Sequence, residues 1–333
     1  MMHARKLLLA FIFILFSAAV GFAQEKPPLK KLRWGVTSIS ASNWIPWIAK
    51  EAKIYEKNGL DMELILLRGS GQTSQAILGG SIFAAPVTIA TVMLANLSGA
   101  DFVTVAHTVP GVQSKLLVKT EIKRPEDIKG KRIGTSSLGS LGDFLWRHII
   151  RKYGMDPNRD VTWMSMGTPP ERLQALVSGA VDAADVSYPT DVQGEKLGFH
   201  ALWDARKEVV YPSMSVVTRR KYVQEDRDTV MRVVKSHVEA IAYMKTHKDF
   251  SLKVLAKYLR NNDKDLLEGS YEIYRQDFIS APYPIMQGLQ ATYDYVAATK
   301  PEIKNHKPEE FMDPSFVAEL EKSGFIKRLY EGK

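Results

Sequence analysis

The sequence predicts an α/β fold of two similar lobes followed by a helical C-terminal region, on three observations. At a gapless offset of 99 residues, segment 75–85 lies over 174–184 with five of eleven pairs identical; the same offset sets Arg33-Trp34-Gly35 on Arg132-Ile133-Gly134 and Asp61 on Asp160. Within each copy, short β-rich runs alternate with runs of helical periodicity, the pattern of a sheet layered with helices. Beyond about residue 221 the pattern is helical alone. Two such lobes face each other across a cleft, and a cleft is a place for a ligand.

The 333 residues suffice for two lobes, and 45% hydrophobic with 25% charged residues is ordinary for a globular chain. The first residues differ. His3, Arg5 and Lys6 precede an apolar run over 7–20, then Gly21-Phe22-Ala23. This is the form of a secretory signal peptide over 1–23, cleaved before Gln24; the run is shorter than the roughly 20 residues of a membrane span. Export places the mature protein in the periplasm. There is no cysteine, which excludes disulfides, thiolate nucleophiles, Cys-ligated metals and lipid attachment through Cys. Removing Arg5 and Lys6 lowers the formal charge from +8 to +6. The densest basic clusters, Lys129/Lys131/Arg132 and Arg219-Arg220-Lys221, read as solvated surface, and export argues against a nucleic-acid partner.

The first lobe opens with a strand over 32–36 and a loop of small polar residues over 37–43. A helix is expected over 44–57, with Ile45, Ile48, Ala49 and Ala52 at helical spacing and Asn58-Gly59 as its stop. A strand over 60–67, a loop over 68–71 and a short helix over 73–78 follow. Then come a strand over 82–86, a helix over 88–98 and a strand over 101–107. The second lobe repeats the order. Pro125 starts a helical turn that Gly130 ends. Strands are expected over 131–134, 161–165 and 181–186, with helices over 141–153 and 168–177, and Tyr188-Pro189 opens another. Segments 114–119 and 211–218 lack helix signals and read as crossover strands between lobes. The division is lobe one over 24–118 plus 212–333, and lobe two over 119–211. In the tail, Val230, Val233, Val234, Val238 and Ile241 form an apolar stripe suited to packing on the first lobe.

Ligands of open α/β sheets bind beyond the carboxyl ends of the strands. Here those loops carry small polar residues in both copies: Ser38 and Ser40 after the first strand, Ser136, Ser137, Gly139 and Ser140 at the matching place. Ser70 pairs with Pro169 beside Thr168, and Thr88 with Ser187. Hydroxyls and free N–H groups at helix starts suit a carboxylate, sulfonate, phosphate or polar heterocycle; the same residues also serve as plain N-caps. Trp44 and Tyr188 could wall an apolar pocket or pack between lobes, and Tyr211 lies at a crossover. Arg68 could meet an anion. Asp143 and Asp185 are further charged candidates. Asp182 reads as a backbone-satisfying residue and His107 as a core histidine. No GxSxG, Walker A, HExxH or clustered metal-ligand spacing occurs.

Together the export signal and three segments resemble a known family: Ile54-Tyr55-Glu56-Lys57-Asn58-Gly59-Leu60-Asp61, Arg124-Pro125-Glu126-Asp127-Ile128-Lys129-Gly130-Lys131, and Leu176-Val177-Ser178-Gly179-Ala180-Val181-Asp182-Ala183. They resemble the nitrate/sulfonate/taurine-type substrate-binding proteins of ABC transporters, a group that includes proteins similar to the thiamine-pyrimidine precursor family. The resemblance covers about 32–220 well. It implies a type II periplasmic-binding-protein fold with two crossovers, capture of a small-molecule ligand by hinge closure, and delivery to a membrane permease by a monomer without cofactors. Two departures stand out. Gly80-Ser81-Ile82-Phe83 lacks the family's usual Asp before the third strand, and the cysteine-rich motif of the eukaryotic pyrimidine synthases is missing. An exported lyase or decarboxylase on this fold, or a sensory component, are the alternatives; a desulfinase would need a nucleophilic Cys.

Overall fold

The computed structural model describes residues 28–331 apart from Arg68, Pro110, 210–214 and 285–288. The signal-peptide segment 1–23 and Tyr211 lie outside the described residues. The first lobe runs β1 (Lys30–Val36), α1 (Trp44–Glu51), α2 (Ile54–Lys57), β2 (Leu60–Leu66), α3 (Gly69–Leu78), β3 (Ala85–Pro86), α4 (Ile89–Leu97) and β4 (Phe102–His107). The second runs β5 (Lys115–Val118), β6 (Arg132–Thr135), α5 (Leu141–Lys152), β7 (Thr162–Ser165), α6 (Pro169–Val177), β8 (Ala183–Val186), α7 (Thr190–Lys196), β9 (His200–Asp204) and α8 (Ala205–Glu208). The chain then returns through β10 (Ser215–Arg219) into helices α9 (Arg220–Glu225), α10 (Arg227–Thr246), α11 (Lys248–Leu259), α12 (Lys264–Asp277), α13 (Leu289–Thr299), α14 (Ser315–Lys322) and α15 (Phe325–Arg328).

The two sheets have the same plan. In the second, the order is β7-β6-β8-β5-β9. In the first, β2-β1 and β3-β10-β4 are joined where Trp34 bridges Ala84, with Phe83 N donating to Arg33 O at 2.8 Å and Gly35 N to Ala84 O at 3.0 Å. The joined order is β2-β1-β3-β10-β4. β1 and β2 are parallel, as are β6 with β7 and β8, whereas β5 and β10 run antiparallel to both neighbours. Each lobe therefore takes its fourth-place strand from a connecting segment. Lys115–Val118, read from sequence as the end of the first lobe, hydrogen-bonds into the second sheet.

Several elements differ from the sequence expectation. The helix expected over 44–57 breaks at Lys53, whose φ of 55° is left-handed, and Ile54 and Tyr55 bury in a separate turn. The loop expected over 68–71 is helical from Gly69, where Thr73 Oγ1 donates back to Gly69 O at 2.8 Å. Strand 82–86 pairs at Ala84 as a bridge and at Ala85–Pro86. β9 was not foreseen.

The α10 stripe of Val230, Val233, Val234, Val238 and Ile241 is buried in one core with Trp34, Trp44, Ile48 and Tyr55. A second core runs from α4 and α13 to β6 and α5, and a small third one lies between α6 and β8. No helix among the described residues is long and apolar enough to cross a membrane.

Candidate functional site

Loops at the carboxyl ends of both sheets line a half-open cavity of about 140 Å³. That is near the size of cavities that admit a benzene-sized molecule, about 150 Å³. From the first lobe, Thr37, Ser38, Ser40, Ser42 and Thr88 line it. From the second come Ser136, Ser140 and Ser187, and from the connection between lobes Gln113 and Ser114.

The first serine loop is held by its own hydrogen bonds. Asn43 Nδ2 donates to Ser38 O and Ser38 Oγ, both at 3.1 Å. Ser38, Ser40 and Ser42 form a hydroxyl chain with Oγ···Oγ distances of 2.9 and 2.7 Å. Thr88 caps α4, accepting from Thr91 N at 3.1 Å, and Ser140 caps α5, accepting from Asp143 N at 3.3 Å. Both caps also lie on the cavity, so capping and cavity lining coincide at these positions.

The charged residues lining the cavity, among those described, are Arg172 and Asp185. Both are buried. Arg172 extends from α6; its Nε donates to Asp185 O and its Nη1 to Gly167 O at 2.7 Å. Its Nη2 stands 3.8 Å from Asp185 Oδ2, an ion contact longer than a hydrogen bond. Burial lowers the guanidinium's pKa, opposed by the neighbouring Asp185 carboxylate. Asp185 Oδ1 accepts from Ser114 Oγ.

The lobes touch at the rim. Gly69 opens α3 with φ of +79°, and a Cβ there would lie 2.5 Å from Ser137 Oγ and 3.2 Å from Ser137 Cβ. Only a glycine admits this approach. A second contact joins the lobes through α12, where a Cβ on Gly269 would lie 2.2 Å from Tyr188 Oη. Arg206 Nη2 reaches Asp277 of α12 at 3.2 Å, and Gln113 Nε2 donates to the same carboxylate.

Of the residues expected to meet a ligand, Ser38, Ser40, Thr88, Ser136 and Ser140 converge on the cavity. Ser137 faces Gly69 at the rim instead. Gly139 gives its N–H to Asp143 Oδ2 at 2.9 Å and does not line the cavity. Thr168 is tied to Glu171, its N and Oγ1 donating to Oε2 at 2.6 and 2.9 Å. Trp44 is wholly buried in the first-lobe core, its Nε1 donating to Ser251 O at 3.1 Å, so it does not wall the cavity. Tyr188 packs between lobes. Arg68 and the side chain of Ser70 lie outside the described residues.

The sequence does not single out Ser42, Gly69, Ser114, Arg172 or Ser187 as cavity residues, and it offers Asp185 only as a charged candidate. Ser187 was within reach, because the 99-residue offset carries Thr88 onto it. Arg172 falls on Thr73 at that offset, and nothing in a helical Glu-Arg-Leu run distinguishes a buried arginine from a solvated one. Asp182 does what was expected. It accepts from Arg132 N at 3.0 Å, Arg132 Nε at 2.9 Å and Lys119 Nζ at 2.6 Å, and these bonds, Arg132's foremost, hold its pKa below the usual carboxylate range. His107 is fully buried in β4, and burial pushes its pKa down to about 4. Asp143 pairs with Arg147 at 2.8 Å.

A larger concavity lies elsewhere, about 1020 Å³ beside β1 and β2 near Lys30, Arg33, Phe83 and Tyr222. It belongs to one lobe, and Lys30 and Arg33 are paired there with Asp226 and Glu63. It gathers no convergent set of hydroxyls and helix starts such as the interlobe cavity holds.

Known proteins resemble this architecture. The fold is that of periplasmic binding proteins. A solved structure from Bordetella bronchiseptica RB50 superposes with a TM-score of 0.80 at 18% identity, covering 88% of this chain and 98% of that one. The periplasmic aliphatic sulphonate binding protein SsuA of Escherichia coli superposes with a TM-score of 0.66 at 19% identity, covering 86% and 99%. In sequence, a Bacillus subtilis (strain 168) protein provisionally named an aliphatic sulfonates-binding protein is 24% identical over 330 residues, 93% of this chain and 94% of that one. The NMT1/THI5-like family model matches residues 44–250, well over half of the sequence, and the chain belongs to that family.

Proposed function

We propose that the protein is a non-enzymatic solute-binding component of an ABC importer. It captures a small, anion-bearing molecule between its lobes and presents the closed form to a membrane permease. The observation that carries this reading is the interlobe cavity. Hydroxyls from both lobes converge on it, and Ser38, Ser40, Thr88, Ser136 and Ser140 supply donors beside the starts of α4 and α5, where helix dipoles favour negative charge. A ligand touching both lobes stabilises the closed form by its differential affinity for it. The relatives named for sulfonate binding support an anionic head.

The N-terminal pattern supports export to the periplasm, with the mature chain acting as a monomer. The strand pairing supports a lobe boundary ahead of Lys115 and a return to the first lobe by Ser215. The test is a thermal-shift screen of small sulfonates, carboxylates, nitrate and pyrimidines. A ligand at about 100 times its Kd stabilises by roughly 2.7 kcal/mol, a clear rise in Tm. No shift with any of them would overturn the reading, and product appearing from a bound ligand would turn it into an enzyme.

A further inference from the structure

We propose that Asn43 is a positioning residue for ligand capture: it holds Ser38, Ser40 and Ser42 so that their hydroxyls act together as one hydrogen-bond donor to an anion in the cavity. This rests on the solute-binding reading above and concerns the same cavity.

Asn43 is buried and does not itself line the cavity. It stands at the N-cap position of α1, and Ser40 at that of the helical turn Ala41–Asn43, yet neither side chain caps its helix. Capping is the ordinary reason for asparagine and serine at such positions, and it accounts for neither here. The Asn43 amide turns back instead, Nδ2 donating to Ser38 O and Ser38 Oγ, both at 3.1 Å. A carbonyl oxygen can only accept, so the nitrogen must be the atom that faces it, and the same nitrogen makes Ser38 Oγ an acceptor. Oδ1 is left buried with no hydrogen bond among the described residues. An unmet buried carbonyl costs stability, whereas an apolar side chain of similar shape carries no such cost. Core packing therefore does not call for asparagine at this position; the grip on Ser38 does.

A count of protons gives the consequence. The three serine hydroxyls hold three protons, and the contacts Ser38···Ser40 and Ser40···Ser42 use two of them. Asn43 brings its own protons to Ser38 and takes none. One hydroxyl proton is left over whichever way the run is polarised, and all three serines line the cavity. Ser38 O is an acceptor within the same loop, and the Asn43 amide already serves it. Without that amide the carbonyl calls for a donor, and the spare hydroxyl proton is drawn to it and away from the cavity. The loop then loses both its brace and its donor. Hydrogen bonds to charged groups are stronger than those between neutral ones, so an anion registers that loss.

Asn43→Leu separates positioning from packing. Ethanesulfonate, propanoate and nitrate are titrated calorimetrically into the full mature protein, well below its melting temperature. The one that binds the wild type most tightly is expected to bind Asn43→Leu at least about tenfold more weakly, while Tm stays the same or rises. A merely structural asparagine gives the reverse, a lower Tm with unchanged affinity, and that result overturns the proposal. Because Asn43 acts through Ser38, the losses from Asn43→Leu and Ser38→Ala are expected to fall short of additivity by at least about threefold; strict additivity also overturns it. Should Asn43→Leu fail to fold, Asn43→Ala removes the same donor and carries the affinity comparison alone. If none of the three anions binds the wild type while a pyrimidine in the thermal screen does, the role of Asn43 falls alone; if nothing binds, both readings fall.

Discussion

At the residue scale, serine positions were more legible than aromatic or charged ones. Ser38, Ser40 and Ser140 could be placed because a small hydroxyl between a strand and a helix has few roles, all at the strand's carboxyl end. Trp44 could not, because α1 is buried through Trp44, Ile45, Trp47, Ile48 and Ala49, so its sequence does not say which surface faces the cleft. His237 and His107 show how burial alone sets chemistry. His237 donates Nδ1–H to Val233 O at 2.9 Å, lies 4.4 Å from the Trp34 ring centroid, and has its pKa pushed down to about 4 by burial, opposed by that backbone bond. His107 is lowered to about the same value. Both are neutral in the folded protein until about pH 4, whereas an unfolded histidine takes up its proton near 6.5. Between those limits the unfolded chain binds more protons, so stability is full above about 6.5 and is lost as pH falls toward 4, by roughly 2–3 kcal/mol per histidine. Urea unfolding at pH 7 and pH 4.5 measures the loss, and His237→Asn is expected to show a shallower dependence. Equal slopes in the variant and the wild type would show that His237 is not a source of the acid sensitivity.

At the element scale, caps, stripes and most strands followed from local pattern, whereas elements fixed by distant partners did not. β9 was missed although the repeat contained it: the 99-residue offset carries Phe102–His107 onto 201–206, over His200–Asp204. Its pairing with β5, a strand that arrives from the connecting segment, is the non-local part. The break at Lys53 was hidden because the apolar spacing of α1 continues into Ile54 and Tyr55. Helix α12 carries the element's own prediction. Gly269 sits inside it, where alanine would be favoured by about 1 kcal/mol in helix propensity, yet the added methyl would meet Tyr188 Oη at 2.2 Å. Gly269→Ala is expected to hold the lobes apart on this side and weaken ligand binding severalfold while leaving Tm unchanged or higher. Tyr188→Phe removes the atom that is struck, so the double variant is expected to recover most of the affinity. A double-mutant cycle by calorimetry gives the coupling; additive losses would place the contact outside the closing motion.

At the scale of the whole molecule, the repeat becomes two five-strand sheets with identical plans, each holding one strand delivered by a connecting segment. The lobes share an apolar core that runs from α4 and α13 to β6 and α5, and on the cleft side they meet through contacts at the rim. Gly69 against Ser137 is one of those contacts. Gly69→Ala has two separable effects. An alanine at φ of +79° is strained in the open and closed forms alike, costing about 1–2 kcal/mol of fold stability. Its Cβ collides with Ser137 only when the lobes meet, so it penalises closure alone, and a ligand that needs closure binds more weakly in proportion to the lost closed population. Ser137→Gly removes the Cβ and Oγ that the alanine strikes but does nothing for the strain at position 69. The double variant is therefore expected to regain affinity while its Tm stays low, and small-angle scattering is expected to show ligand-induced compaction restored alongside affinity. If Tm and affinity recover together, or neither does, Gly69 serves the local turn rather than the meeting of the lobes.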